Sequence, residues 1–418
     1  MTHSHSFLAE DHATWTNWGG NETCTPALTV RPRSEGEVIE AVKFAGKQGM
    51  NVRVAGSGHS FTPIVSTGGM LLDLSALQAV TGIDASTKRV RALGGTGIHE
   101  FGAKLWDAGL SLGNQGDIDK QAIAGAVATA THGSGIALGS FSSTVTWMRL
   151  LLADGEIIEI DESDMRRLRA ARVAVGTLGI VLEIELQAVD AYQLREQITY
   201  ETTDELLARW DRNPAESRHF SFLWCQAPES PALYELPWPD GLEVPGRAYT
   251  KRYWEELASD SHEVLEHDGG RLGPAYRIYP GGMEIPFHEL EYYVSVERAQ
   301  EAWTALKDLI LEEHPDQLYP IETRWTRGDD AYISPFYKED KVSLSVSGAP
   351  GTNHWPYLRA VDELLQEYDA TCHWGKIHFL TRERLESLYP ELDEFIAVRR
   401  ELDPKGLYLN DHTRALFE

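Results

Sequence analysis

Glu322 and Arg324 stand two residues apart in the segment IETRWT, so a strand there sends both side chains to one face and Ile321, Thr323 and Trp325 to the other. A carboxylate and a guanidinium opposite an apolar face suit the wall of a polar pocket; a cross-strand ion pair on a solvated face uses the same residue types. Far upstream, residues 51–61 read NVRVAGSGHSF. Val52 and Val54 alternate with polar neighbours as a half-buried strand does, and the strand runs straight into Gly56, Ser57 and Gly58. A turn of that composition leaves backbone N–H groups bare and can wrap a diphosphate, with His59 at its rim. A tight turn with a surface histidine satisfies the same residues. A second segment, 113–135, GNQGDIDKQAIAGAVATATHGSG, carries almost no bulk from Ala122 to Ala130, so a planar ligand or another surface can approach its backbone. Two such segments in one half of the chain point to one large anionic ligand.

The elements that must position these residues divide into two textures. Residues 27–31 read as a strand, and Ser34-Glu35-Gly36-Glu37 as a capping box that opens a helix with Val38, Ala41, Val42 and Ala45 on one face. Gly49 ends that helix before the strand at Val52, a βαβ pattern that delivers the glycine turn at a strand end, where open α/β sheets bind ligands. The turn lacks GxGxxG and continues into Ser60-Phe61-Thr62-Pro63, which disfavours a nicotinamide-type Rossmann site. Strands are predicted at 70–74 and 88–93, a helix at 98–108, a hairpin about Asp154-Gly155, a helix at 165–173 and a strand at 179–186. From Tyr192 to about Ala370 aromatic residues and prolines become dense. Strands at 289–294 and 319–326 alternate there with a helix capped by Ser295 and a helix opened by Pro356, the pattern of an α+β domain.

Composition sets the class. A chain of 418 residues with 42% hydrophobic content is expected to form two domains. Its 38 Lys+Arg against 64 Asp+Glu give a net charge of −26, which disfavours nucleic acid and anionic membrane and favours a small neutral substrate. Cys24, Cys225 and Cys372 are widely spaced, which argues against a disulfide framework and a structural zinc site; no metal is expected. His3, His5 and His12 read as a frayed terminus rather than a metal site. With no run of signal or membrane-spanning character, a cytoplasmic location is expected.

GSGHSF at 56–61, NQGDID and GA-ATATHGSG within 114–135, VGTLGIV at 175–181, HWGK at 373–376 and LDPKGLYLND at 402–411 together resemble the FAD-dependent oxidoreductases of the vanillyl-alcohol oxidase type, and among them the sugar-lactone and alditol oxidases. The resemblance implies an α+β fold: an FAD-binding domain of two α/β subdomains over 1–190, a substrate domain with an antiparallel sheet flanked by helices over 191–370, and a return to the first domain over 371–418. It implies that FAD lies against Val54, Ala55, Gly56, Ser57, Gly58, His59 and Ser60. The second segment adds Gly116, Asp117, Ala122, Gly125, Ala126, Ala128, Thr129 and Gly133, and Ile180 and His373 complete the set. His59 matches the histidine that bonds covalently to the 8α-methyl carbon of the flavin; a free histidine beside non-covalent FAD is the alternative. Glu322, Arg324 and Lys376 match the residues that hold sugar hydroxyls and stabilise the alkoxide developing as hydride leaves carbon for flavin N5.

Departures from the pattern bear on the substrate. Alditol oxidases carry Ala-Ser where this chain has Gly116-Asp117, and His and Thr where it has Ser345 and Ser347. Asp117, Ser345 and Ser347 are therefore candidate substrate contacts, and the reading is a sugar-lactone or polyol oxidase. Gly116 implies room for dioxygen near the flavin, hence hydrogen peroxide as product; a dehydrogenase using another acceptor is the alternative. A protein that keeps FAD with a decayed pocket is the remaining class, and the intact Glu322, Arg324 and Lys376 weigh against it.

Overall fold

The computed structural model describes residues 7–282 and 285–418, so His3 and His5 lie outside the described residues. The helix Glu35–Gln48 forms where its apolar spacing puts Val38, Ala41, Val42 and Ala45 inward, and Gly49, at φ 68, closes it in the left-handed region that favours glycine. Only half of the predicted capping box forms. Ser34 accepts from the Glu37 N–H, but the Glu37 carboxylate accepts from Arg33 N rather than Ser34 N. The strands on either side of this helix, Leu28–Val30 and Val52–Ala55, are parallel but not adjacent: Met70–Asp73 lies between them and pairs with both. The βαβ unit is thus opened by a third strand, and the chain emerging from Val52–Ala55 enters the glycine turn at the edge of a four-stranded sheet.

A six-stranded sheet packs beside it, its main path running Ile157–Asp161, Val145–Leu151, Ile180–Asp190, Arg89–Leu93 and Val80–Asp84, every neighbour antiparallel. This second subdomain is α/β only in that helices cover an antiparallel sheet. The expected hairpin is present, with Gly155 at φ 86. The helix predicted over 98–108 is instead a 3-10 turn, Ile98–Glu100, and a short helix, Gly102–Asp107. Gly102 lets the Tyr276 ring lie against its backbone, where a Cβ would sit 2.4 Å from the ring.

From Tyr192 onward a nine-stranded sheet forms, its centre running Tyr192–Thr202, Arg247–Leu257, His219–Cys225, Ile321–Thr326, Lys341–Gly348 and His288–Ser295. One face carries Phe222, Trp224 and Trp325; Phe222 and Trp224 meet Trp303 of the helix Val296–Glu313 edge to face, and Trp325 meets Trp210 likewise. Ser295 begins that helix without a side-chain cap, and the helix opened by Pro356 spans Trp355–Gln366. Thr371–Cys372 still pairs with His288–Ser295, after which the chain runs back to the first sheet, where Leu407 O accepts from Val52 N and Asn410 Nδ2 donates to Pro63 O and Ser66 O. Among the described residues no helix is long and apolar enough to cross a membrane.

Candidate active site

None of the backbone N–H groups from Gly56 to Ser60 donates to a protein acceptor among the described residues. They open onto a cleft of about 1100 Å³ lined by Val54, Ala55, Gly56, Ser57, Gly58, His59 and Ser60 on one side and by Ala122, Gly125, Ala126, Ala128 and Thr129 on the other, with Ile180 and His373. The two bulk-poor segments meet: a Cβ on Gly56 would stand 3.0 Å from that of Ala122, and Ser57 Oγ donates to Lys120 O at 2.7 Å. Gly94 and Gly95 complete the cradle, since side chains there would strike Val181 O and Leu74 O at 2.2 and 2.4 Å. Gly133 does not line it. Its Cβ would fall 1.9 Å from Gln115 O, so close packing of two backbones, rather than a ligand, requires glycine there.

Arg53 lies in the wall of this cleft and donates to Ile64 O, Gly176 O, Val175 O and Tyr408 O, tying four segments together. Burial pulls its guanidinium down to about 10. No carboxylate pairs with it among the described residues, and with its N–H groups turned to carbonyls it stands as a fixed positive charge behind the unpaired amides that face the cleft. A dinucleotide's diphosphate fits that donor set. His59 sits in the same wall with its ring 5.3 Å from that of Trp18. Burial first, then the charges of Lys376 and Lys120, push its imidazole down to about 4, so it is neutral at pH 7 with a lone pair available.

A second cavity of about 1180 Å³ shares Gln121, Thr131, His373 and Lys376 with the first, so the two have a common wall. Glu322 and Arg324 both face it, joined at 2.9 and 2.5 Å, with Thr323 and Trp325 buried on the opposite face as their parity requires. Arg324 also lies 3.3 Å from Asp117, which Lys251 meets at 3.0 Å. Burial raises the Glu322 carboxyl despite Arg324. Burial opposes ionisation of Asp117 too, but the charges of Lys251 and Arg324 outweigh it and hold that carboxyl below the usual range. The Lys376 ammonium is paired with Glu289 and lies 5.1 Å from the Phe61 ring centroid and 5.8 Å from that of Phe287. Deeper still, His132 Nε2 meets Glu291 at 3.0 Å and the Tyr293 hydroxyl at 2.9 Å.

Ser345 and Ser347 do not line either cavity. Ser345 lies opposite both Glu322 and Glu291 on neighbouring strands and so shares their face, but its side chain is short and donates to Glu289 at 2.5 Å; Ser347 bonds the Tyr234 hydroxyl at 2.6 Å. They brace residues that reach the cavity. Gly116 and Asp117, both expected against the cofactor, line the second cavity rather than the cleft. Lys251, Glu289, Glu291 and His132 were not identified from the sequence: strand parity places a residue on a face, but only register across distant strands reveals which residues converge.

Residues 249–416 match the family described as D-arabinono-1,4-lactone oxidase, and residues 26–161 the family described as FAD binding domain. The chain is 32% identical to an L-gulono-1,4-lactone dehydrogenase of Mycobacterium tuberculosis, over 96% of this chain and 98% of that protein. It is 27% identical to an L-gulonolactone oxidase of Mus musculus, over 96% and 97%. Among solved structures, cholesterol oxidase from B. sterolicum superposes with a TM-score of 0.83 at 14% identity, covering 99% of this chain and 98% of that one, a likeness of fold.

Proposed function

The chain belongs to the family of FAD-linked sugar-lactone oxidases and dehydrogenases, and from that premise we propose that it oxidises a carbinol carbon of a sugar lactone or related polyol and passes the electrons to dioxygen, giving hydrogen peroxide. The observation that carries this reading is the common wall: Lys376 and His373 face both the cleft that fits the cofactor and the cavity that holds Glu322 and Arg324. FAD bound in the cleft supplies the hydride acceptor. The protein's own groups then act on the substrate oxygen. As a C–H hydride and an O–H proton leave a secondary alcohol, negative charge grows on that oxygen, and the Arg324 and Lys376 cations stand where it is stabilised. Glu322 and Glu289 fix those cations, and carboxylates beside them accept hydroxyl protons of the substrate. Ser345 and Ser347 serve by bracing Glu289 and Tyr234.

We further propose that His59 carries the flavin covalently; its neutral ring in the cleft wall and the family pattern support this. Gly116 in the substrate cavity supports oxygen as acceptor, while the relative at 32% identity is named a dehydrogenase and supports a second reading with another acceptor. Residues 1–190 and 371–418 are read as the cofactor domain and 191–370 as the cap. A cytoplasmic location accords with three unpaired cysteines and the acidic composition. Anaerobic bleaching of the flavin across lactones, alditols and simple secondary alcohols tests the whole reading; a holoenzyme that no lactone or alditol bleaches refutes it.

A further inference from the structure

Lys251 reaches the substrate cavity from the strand Arg247–Leu257, and strand register explains why. Ser221, on His219–Cys225, lies opposite Lys251 on one side and Arg324 on the other, so the three share one row of one sheet face. The small serine leaves open space above the row between two long cations. Asp117, carried by the loop after Gly113, enters from the cofactor side, 3.0 Å from Lys251 Nζ and 3.3 Å from Arg324 Nη2. Its Oδ1 accepts from Lys251, whereas its buried Oδ2 is the atom that faces Arg324 and makes no hydrogen bond among the described residues. Neither Asp117 nor Lys251 lines the cofactor cleft, in contrast to Lys376, so this pair stands apart from the wall where the two cavities meet.

The Lys251 ammonium and the Asp117 carboxylate offer donors and an acceptor side by side on the cavity wall. Two adjacent hydroxyl groups need that arrangement: one donates to the carboxylate while the neighbouring oxygen accepts from the ammonium. A lone alcohol has one such group to place and it is already engaged at Arg324 and Lys376. Resting on the reading above, that the cavity holds a polyhydroxylated substrate, we propose that Asp117 and Lys251 form a clamp for a pair of hydroxyls other than the one oxidised. The clamp sets the preference for polyhydroxylated substrates over simple alcohols.

The test uses flavin-loaded K251M and D117N and anaerobic bleaching at a series of substrate concentrations, comparing the best polyhydroxylated substrate with a simple secondary alcohol. For each variant the ratio of the two kcat/KM values falls by ~10–100-fold relative to wild type, mainly through KM of the polyhydroxylated substrate, as expected for lost hydrogen bonds to charged groups. K251R, which keeps the charge, recovers part of that ratio. A ratio within threefold of wild type, or losses equal on both substrates, overturns the clamp. D117N, close in size to the native side chain, carries the same test where K251M does not accumulate holoenzyme. Wild type that bleaches with simple alcohols but with no polyhydroxylated compound refutes the reading of the site itself, an outcome distinct from failure of the clamp alone.

Discussion

Removing the Arg324 guanidinium is the perturbation whose consequences the structure defines most fully. In R324A, Glu322 loses both of its bonds to Arg324, at 2.9 and 2.5 Å, and Asp117 keeps only Lys251. Breaking a buried ion pair from one side leaves an uncompensated charge and costs about 3–5 kcal/mol of stability. Loss of one charged donor at the developing oxyanion slows the chemical step by roughly 10²–10³-fold, about 2.7–4 kcal/mol. Flavin content should hold, because Arg324 faces the substrate cavity and not the cleft. The pH dependence has a fixed sign. Burial already raises the Glu322 carboxyl with Arg324 opposing it, so without the guanidinium it rises further. The folded state then holds a proton that the unfolded state has released, and the stability of R324A falls as pH rises from the ordinary carboxylate range through the folded value. E322Q/R324A removes the stranded charge, and stability should return while the rate does not. Stopped-flow anaerobic bleaching gives the rate, and urea unfolding at pH 5 and pH 8 gives the stability. Bleaching of R324A within threefold of wild type, or a rate loss matched by flavin loss, refutes the assignment of Arg324 to the substrate oxygen.

Three other outcomes follow from single positions. In H59A, flavin should separate from the denatured protein, whereas acid-precipitated wild type stays yellow with the flavin mass on the His59 peptide; colourless wild-type precipitate refutes the tether. At Gly116 a Cβ would stand 3.3 Å from Ile118 O and 3.5 Å from the Phe141 ring, so leucine must extend into the substrate cavity; reoxidation of G116L by air should slow at least ~10-fold while a quinone dye still reoxidises it, and unchanged oxygen kinetics sink the gate. Burial pushes His219, His373 and His378 down to about 3 from 6.5, so they stay neutral in the folded protein where the unfolded chain takes up protons. Stability should therefore fall as pH drops below about 6.5, with a slope of up to ~1.4 kcal/mol per pH unit for each histidine. Urea midpoints unchanged between pH 7 and pH 5 would show that these rings are protonated or solvated when folded.

What could be read from the sequence is what depends on a few consecutive residues. The glycine turn at 56–58 and the stretch from Ala122 to Ala130 announce themselves by missing bulk, and bulk is a local property. Glu322 and Arg324 share a face because side chains alternate along a strand, and Trp325 confirms it by lying buried on the other side. Depth is a different matter. Ser345 has the parity of Glu322, yet it stands between Glu322 and Glu291 and its hydroxyl stops at Glu289. Gly133 has the composition of a cradle and serves only to let its backbone pass the Gln115 carbonyl. Lys251 and Glu289 carry no local signal, since each reaches the cavity through pairing with strands far away in the chain. The order of the first sheet shows the same boundary: helix Glu35–Gln48 was legible, but not that Met70–Asp73 separates the strands it connects.

The charges of the substrate cavity come from both halves of the chain, and this constrains how the site forms. Asp117 belongs to the loop that also feeds the cofactor cradle, while its partners Lys251 and Arg324 stand on the nine-stranded sheet. His132 follows the cradle helix, and its partner Glu291 is on that same sheet. Burial disfavours the charged forms of Asp117 and Glu291 when taken alone, and in each case the opposing group across the seam reverses the balance. Neither half is therefore electrostatically complete without the other. Closing the seam pairs these groups, and removing one partner of either pair leaves an uncompensated buried charge beside the cavity that Lys376 and His373 border.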